Sequence, residues 1–178
     1  MSIAHIDDEI TKQLSLLEQE IKSLRFETYY EFTVSESKNI FNKDKLNFQG
    51  IYLIEIEKSD KNLSFSQWVG KFKKEWENKK FFKRPQIRQK SINNIQLNDN
   101  WIPMYLGKSE KVGNRLDKHL FLDNKKSTYA LKLYDKAFLK HEKIRIKAIE
   151  INVENYDPIV SFIESKLREV INPIIGKQ

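Results

Sequence analysis

The run from Trp101 to His119 constrains the fold of this chain more than any other stretch. Trp101, Ile102, Met104 and Leu106 make an apolar-rich run that takes in Tyr105 and is closed by Gly107, and charge-rich sequence of helical character follows. The pattern predicts a strand, a tight turn at Gly107 and a helix. In that helix Arg115 and His119 are four apart, so they share one face and project side by side near the turn. A guanidinium beside an imidazole suits the grip and hydrolysis of a phosphate.

The rest of the chain reads as strands and amphipathic helices. Phe26, Thr28, Tyr30, Phe32 and Val34 alternate with other residues as in a strand, and Phe48 to Glu57, which contains Gly50-Ile51-Tyr52, reads as another. Lys143 to Lys147 alternates charged with apolar side chains, which predicts a strand exposed on one side. Asp7 is a candidate helix cap, and Ile10, Leu14, Leu17, Ile21 and Leu24 form an apolar stripe that either packs on the protein's own core or joins a short coiled coil. Phe65, Trp68, Val69, Phe72 and Trp76 predict a helix within Ser64 to Lys80 that ends before Pro85. Gln86 to Asn100, polar and rich in asparagine, reads as a loop, and Tyr129 to Tyr134 as a short helical piece. Asp157-Pro158 opens a last helix with Val160, Ile163, Leu167, Val170 and Ile171 as its buried stripe, closed by Asn172-Pro173.

Composition narrows the chemistry. With 178 residues the chain is most simply one domain, and with no cysteine it has no disulfide, thiolate metal site or thiol nucleophile, so any metal should be a hard, oxygen-liking one. No charge-free stretch approaches the ~20 residues of a membrane span, and the acidic N-terminal region lacks the pattern of a signal peptide, so a cytoplasmic protein is expected. Between Lys71 and Lys90 nine Lys and Arg stand against Glu75 and Glu77, a surplus that equals the chain's whole net charge of +7. Interleaved with Phe72, Trp76, Phe81 and Phe82, that stretch is either a polyanion-binding surface or a solvated lysine-rich helix face.

Glu164 falls on the edge of the last helix's apolar stripe, where a carboxylate is costly unless a cation or donors satisfy it; a salt bridge to a lysine or arginine is the bland alternative. Gly-Ile-Tyr at 50–52, Tyr-Leu-Gly at 105–107, then Arg115, His119, Glu164 and Pro173, in that order and spacing, resemble the GIY-YIG endonuclease family. The resemblance spans roughly Phe48 to Gln178. It implies a mainly antiparallel three-stranded sheet flanked by helices, an α+β fold, in a domain over residues 48–178; residues 1–47 add an N-terminal helix and strand, and residues 58–100 form a helical basic insertion. It also implies a Mg2+-dependent DNA endonuclease serving restriction, phage defence or a mobile element. Glu164 would hold the metal and Arg115 clamp the phosphate, while Tyr52, Tyr105 and His119 are candidates for general base and positioning, and Gly50, Gly107 and Pro173 are structural positions. Double-stranded DNA would be met by Lys73, Lys74, Lys79, Lys80, Lys83, Arg84, Arg88 and Lys108, with base readout from Arg84 or Arg88. Two departures stand out: the tyrosines at 52 and 105 are separated by the insertion, and Gly176 occupies the place where many members carry asparagine. A palindromic duplex favours a homodimer, which the N-terminal helix would supply. The alternatives are a non-catalytic nucleic-acid-binding module of the same fold and a protein-interaction domain using the N-terminal stripe.

Overall fold

The computed structural model describes residues 2–60, 62–77, 85–94 and 100–176. Six strands form one sheet: β1 (Glu27–Thr33), β2 (Gly50–Glu57), β3 (Gln86–Ile87), β4 (Trp101–Ser109), β5 (Lys143–Glu150) and β6 (Ile175–Gly176), in the order β1-β5-β2-β4-β6-β3. The helices are α1 (Ile3–Ile21), α2 (Ser37–Ile40), α3 (Phe65–Trp76), α4 (Gln89–Asn94), α5 (Val112–Phe121) and α6 (Tyr156–Ile171). The fold is α+β as expected, and every strand pair is antiparallel except β4 with β6.

Among the described residues the sheet has six strands, not three. The antiparallel trio β5-β2-β4 is its centre, β1 pairs along β5, and β6 joins the outer edge of β4 and carries β3. The two added strands on that side are two residues each, too short to show an alternation in sequence. Through β3 the segment following Pro85 is tied into the sheet, so part of the expected loop at Gln86 to Asn100 is a strand and a short helix.

β2 explains the layering. Its burial is unbroken from Gly50 to Ile56, because both faces of the sheet are covered. Tyr52, Ile54 and Ile56 join a core with Ile144 and Ile146 of β5, the Trp68, Val69, Phe72 and Trp76 face of α3, and Val112, Leu116 and Leu120 of α5. Ile51 and Leu53 point the other way, to Leu106, Ile149 and the Val160, Ile163 and Leu167 face of α6. Glu55 lies on this second face, 7 % exposed, and is neutralised there by Arg145 at 2.6 Å and Lys147 at 3.7 Å.

Local signals set the helix ends. Ser64 caps α3 in a capping box with Gln67. α1 starts earlier than expected, at Ile3, because Ser2 accepts a hydrogen bond from the His5 N–H and serves as cap in place of Asp7. Likewise α6 starts at Tyr156 after Asn155, which leaves Asp157 free to pair with Lys108 at 2.8 Å. Only the end of the α1 stripe is intramolecular: Ile21 is buried with Leu17 and Leu24 beside it, and Lys166 of α6 pairs with Glu18, whereas Ile3, Ile6, Ile10 and Leu14 stay exposed. Among the described residues no helix is long and apolar enough to cross a membrane.

Gly50 is packed against the backbone of β5. An added Cβ there would sit 2.1 Å from the Ile149 carbonyl oxygen, inside the β2–β5 pairing, whereas at Gly70, in α3, nothing lies within 4 Å. Gly50→Ala is therefore expected to cost about 3 kcal/mol or more, while Gly70→Ala gains about 0.5–1 kcal/mol from helix propensity. Urea denaturation of the two variants checks this opposition of sign.

Candidate active site

Tyr52, Tyr105 and His119 meet on the face of the sheet covered by α5. The rings of Tyr52 and Tyr105 lie 6.2 Å apart, those of Tyr105 and His119 4.8 Å, and those of Tyr52 and His119 5.6 Å. A β-bulge brings them together. Ile54 pairs with Tyr105 but Glu55 with Pro103, so Met104 is an extra residue in β4. Side chains alternate along a strand, and one extra residue reverses the alternation from there on. Ile102 and Met104 face α3 and α5, and beyond the bulge Tyr105 faces the same way.

Gly107 is not the turn that its sequence context predicts. It lies inside β4, directly opposite Tyr52, and a Cβ there would stand 2.5 Å from the Tyr52 hydroxyl oxygen and 2.9 Å from the Tyr105 ring. The turn comes later, after Ser109, where the Lys111 N–H is held by the Ser109 hydroxyl at 3.1 Å before α5 begins. Glycine is needed at 107 because the Tyr52 ring lies across β4 at that point.

α5 then delivers His119 and Arg115 on one face, as their spacing requires. His119 is fully buried, its Nε2 2.9 Å from the Tyr52 hydroxyl and its Nδ1 3.1 Å from the Leu131 N–H. An amide N–H can only donate, so Nδ1 is an acceptor, the ring is neutral and the proton sits on Nε2. His119 Nε2–H therefore donates to Tyr52, and the tyrosine keeps its own proton for a different partner. This removes His119 as the acceptor of that proton. Burial, and next the positive charge of Arg115, push the His119 pKa well below its usual value.

Tyr52 is 1 % exposed, and burial pushes its pKa well above that of free tyrosine. Tyr105 and Glu164 add to the rise, and Arg115 opposes it. Arg115 is carried by α5 and Glu164 by α6, helices on opposite faces of the sheet. Among the described residues β6 meets β4 only at Tyr105, which leaves the stretch beyond it unpaired on its outer edge. The Arg115 guanidinium is held by the Tyr129 carbonyl at 2.8 Å. Glu164 pairs with Arg168 one turn on, as the bland reading of its position anticipated.

The described candidate DNA-contact residues lie apart from this cluster. Lys108 points to the opposite face, against Asp157 and 4.9 Å from the centre of the Tyr156 ring. Arg88 donates to the Pro173 carbonyl at 3.2 Å, where burial and then Arg168 lower its pKa, and its side chain packs 3.4 Å from where a Gly176 Cβ would be. Lys73 and Lys74 lie in the last turn of α3, whereas Lys79, Lys80, Lys83 and Arg84 lie outside the described residues. Among the described residues no three His, Asp or Glu side chains converge as a metal cage. A hard cation that keeps most of its water needs only one or two carboxylates from a protein, and Glu164 would offer one.

Two supporting features escaped the sequence reading. Residues 129–134 form no helix: Lys132 has φ of 55°, and the N–H groups of Leu133 and Tyr134 cap the His119 and Leu120 carbonyls of α5. Tyr156 has a buried hydroxyl without a hydrogen-bond partner, and burial, Glu110, Glu164 and Asp157 all raise its pKa. No sequence signal marks either, because both depend on contacts between distant segments.

No family model matches the chain, and no curated protein or solved structure matches it.

The state of His119 has a measurable consequence. With its folded pKa depressed, the unfolded chain takes up a proton below about pH 6.5 that the folded protein refuses, so stability falls with pH by up to about 1.4 kcal/mol per unit. His119→Gln can keep both hydrogen bonds without titrating, and its stability should fall less steeply between about pH 6.5 and pH 5. Parallel profiles for the two proteins would contradict the neutral, buried imidazole. Nitrogen-15 NMR should show Nδ1 without a proton.

Proposed function

We propose that the protein is a Mg2+-dependent endonuclease of the GIY-YIG type, hydrolysing phosphodiester bonds of DNA. The observation that carries this reading is the cluster at the Tyr52 hydroxyl: His119 donates to it, Tyr105 stacks beside it, and α5 brings Arg115 to the same face of the sheet. These groups come from three separate segments of the chain, β2, β4 and α5.

Cleaving a phosphodiester needs charge neutralised on the phosphoryl oxygens, a water made nucleophilic and a leaving oxygen stabilised. Arg115, held from behind by the Tyr129 carbonyl, offers its remaining donors to the phosphate. A divalent cation bound at Glu164 would add positive charge at the same oxygens. Tyr52 is neutral at rest, so as a base it must first lose its proton. Arg115 and the His119 Nε2–H both favour the resulting phenolate, and burial opposes it. The basic side chains of residues 71–90 and Lys108 are candidate DNA contacts, and service in restriction, phage defence or a mobile element belongs to the same reading. The exposed Ile3, Ile6, Ile10 and Leu14 support pairing of two copies through α1, which would bring two sites to one duplex. Glu substitution of Ile10 and Leu14 should then turn a sedimenting dimer into a monomer.

Supercoiled plasmid incubated with Mg2+ tests the activity. Nicking by the wild type should fall by about 100-fold or more in Glu164→Ala, Arg115→Ala and Tyr52→Phe. If the phenolate is the base, the rate rises about tenfold per pH unit between about pH 7 and pH 9. DNA binding without metal-dependent nicking in the wild type would instead favour a non-catalytic binding module, and neither binding nor nicking a protein-interaction domain.

A further inference from the structure

The connection from α5 to β5 is built at a cost that a mere link does not need. Lys132 adopts φ of 55°, which is uncommon for a residue with a side chain, and is 1 % exposed. Its buried ammonium is satisfied by backbone, donating to the Lys126 carbonyl at 2.6 Å and the Asn124 carbonyl at 3.2 Å. Asp123 holds the Lys125 N–H at 2.6 Å, and Asp135 the Asn124 N–H at 2.9 Å. Toward the site, Tyr129 gives its carbonyl to Arg115 and Leu131 its N–H to His119. These bonds fix the backbone from residue 124 to 131. They leave the side chains of Lys125, Lys126 and Tyr129 on the surface, with Tyr129 52 % exposed.

The loop whose Tyr129 carbonyl holds the guanidinium thus carries an exposed aromatic ring and, three and four residues earlier, two exposed lysines. We infer that Lys125, Lys126 and Tyr129 form a nucleic-acid contact, with Tyr129 stacking on an unpaired base next to the phosphate gripped by Arg115. Stacking suits a base because every base has an apolar face, and the lysines meet flanking phosphates. The Tyr129 carbonyl on Arg115 sets the ring within a nucleotide's reach of the clamp. The proposal rests on the nuclease reading insofar as it takes Arg115 as that clamp. It differs in placing the contact after α5 and not in the basic stretch of residues 71–90, and in addressing an unpaired base in place of the duplex backbone alone.

Fluorescence anisotropy with a short labelled single strand and its matching duplex, in EDTA to prevent cleavage, tests it. Tyr129→Ala keeps the backbone carbonyl that holds Arg115, and should weaken single-strand binding by about fivefold to a hundredfold with the salt dependence unchanged. Tyr129→Phe should bind within about twofold of wild type. Lys125→Ala with Lys126→Ala should flatten the log-log salt slope on the single strand by up to about 1.4. If the wild type binds and Tyr129→Ala binds the single strand equally well, the stacking contact is overturned and the nuclease reading stands. A wild type that binds neither probe overturns both.

Discussion

One extra residue in β4 decides what this sheet can hold. Without the bulge at Met104, Tyr105 would face α6, apart from Tyr52 and His119. With it, two tyrosines from neighbouring strands share a face, and Gly107 clears the space across which the Tyr52 ring lies. α5 then only has to pack its Val112, Leu116 and Leu120 stripe on that face for His119 to come within hydrogen-bonding distance of Tyr52. Core packing and site geometry are thus the same set of contacts, and a substitution at Gly107 would disturb both.

The site's electrostatics follow from burial. A tyrosine and a histidine without access to water are both driven to their neutral forms, and a single neutral hydrogen bond between them is the arrangement that costs least. Charge enters only from the margins, through Arg115 and Glu164. Arg115 is held by a loop carbonyl and Glu164 by Arg168, so each has its orientation set before any ligand arrives. In a phosphate-cleaving site such preorganisation is where most of the rate advantage would come from.

Local patterns in the chain disclose the parts of this architecture that are local. The apolar stripes of α3 and α6, the strand at β2 and the alternation in β5 follow from the spacing of their own residues, and so does the common face of Arg115 and His119. Gly107 misleads because glycine signals a turn in sequence, whereas here it answers to a ring from the neighbouring strand. β3 and β6 are invisible because two residues carry no period. The segment at 129–134 reads as helix from its apolar content, but its backbone N–H groups are taken by His119 and by the end of α5, and Lys132 turns left-handed to permit it. The tautomer of His119 is thus set by Leu131, a residue that nothing in the sequence links to it.

The proposed chemistry requires a cation held by Glu164 within reach of Tyr52. Titrating nitrogen-15-labelled protein with Mn2+, a paramagnetic stand-in for Mg2+, tests it without relying on catalysis. Line broadening is expected to centre on the amides around Glu164, Gly107 and Tyr52, and to be lost in Glu164→Gln. Broadening that survives Glu164→Gln, or that centres on the separate groove lined by Glu110, Glu150 and Glu154, would contradict it.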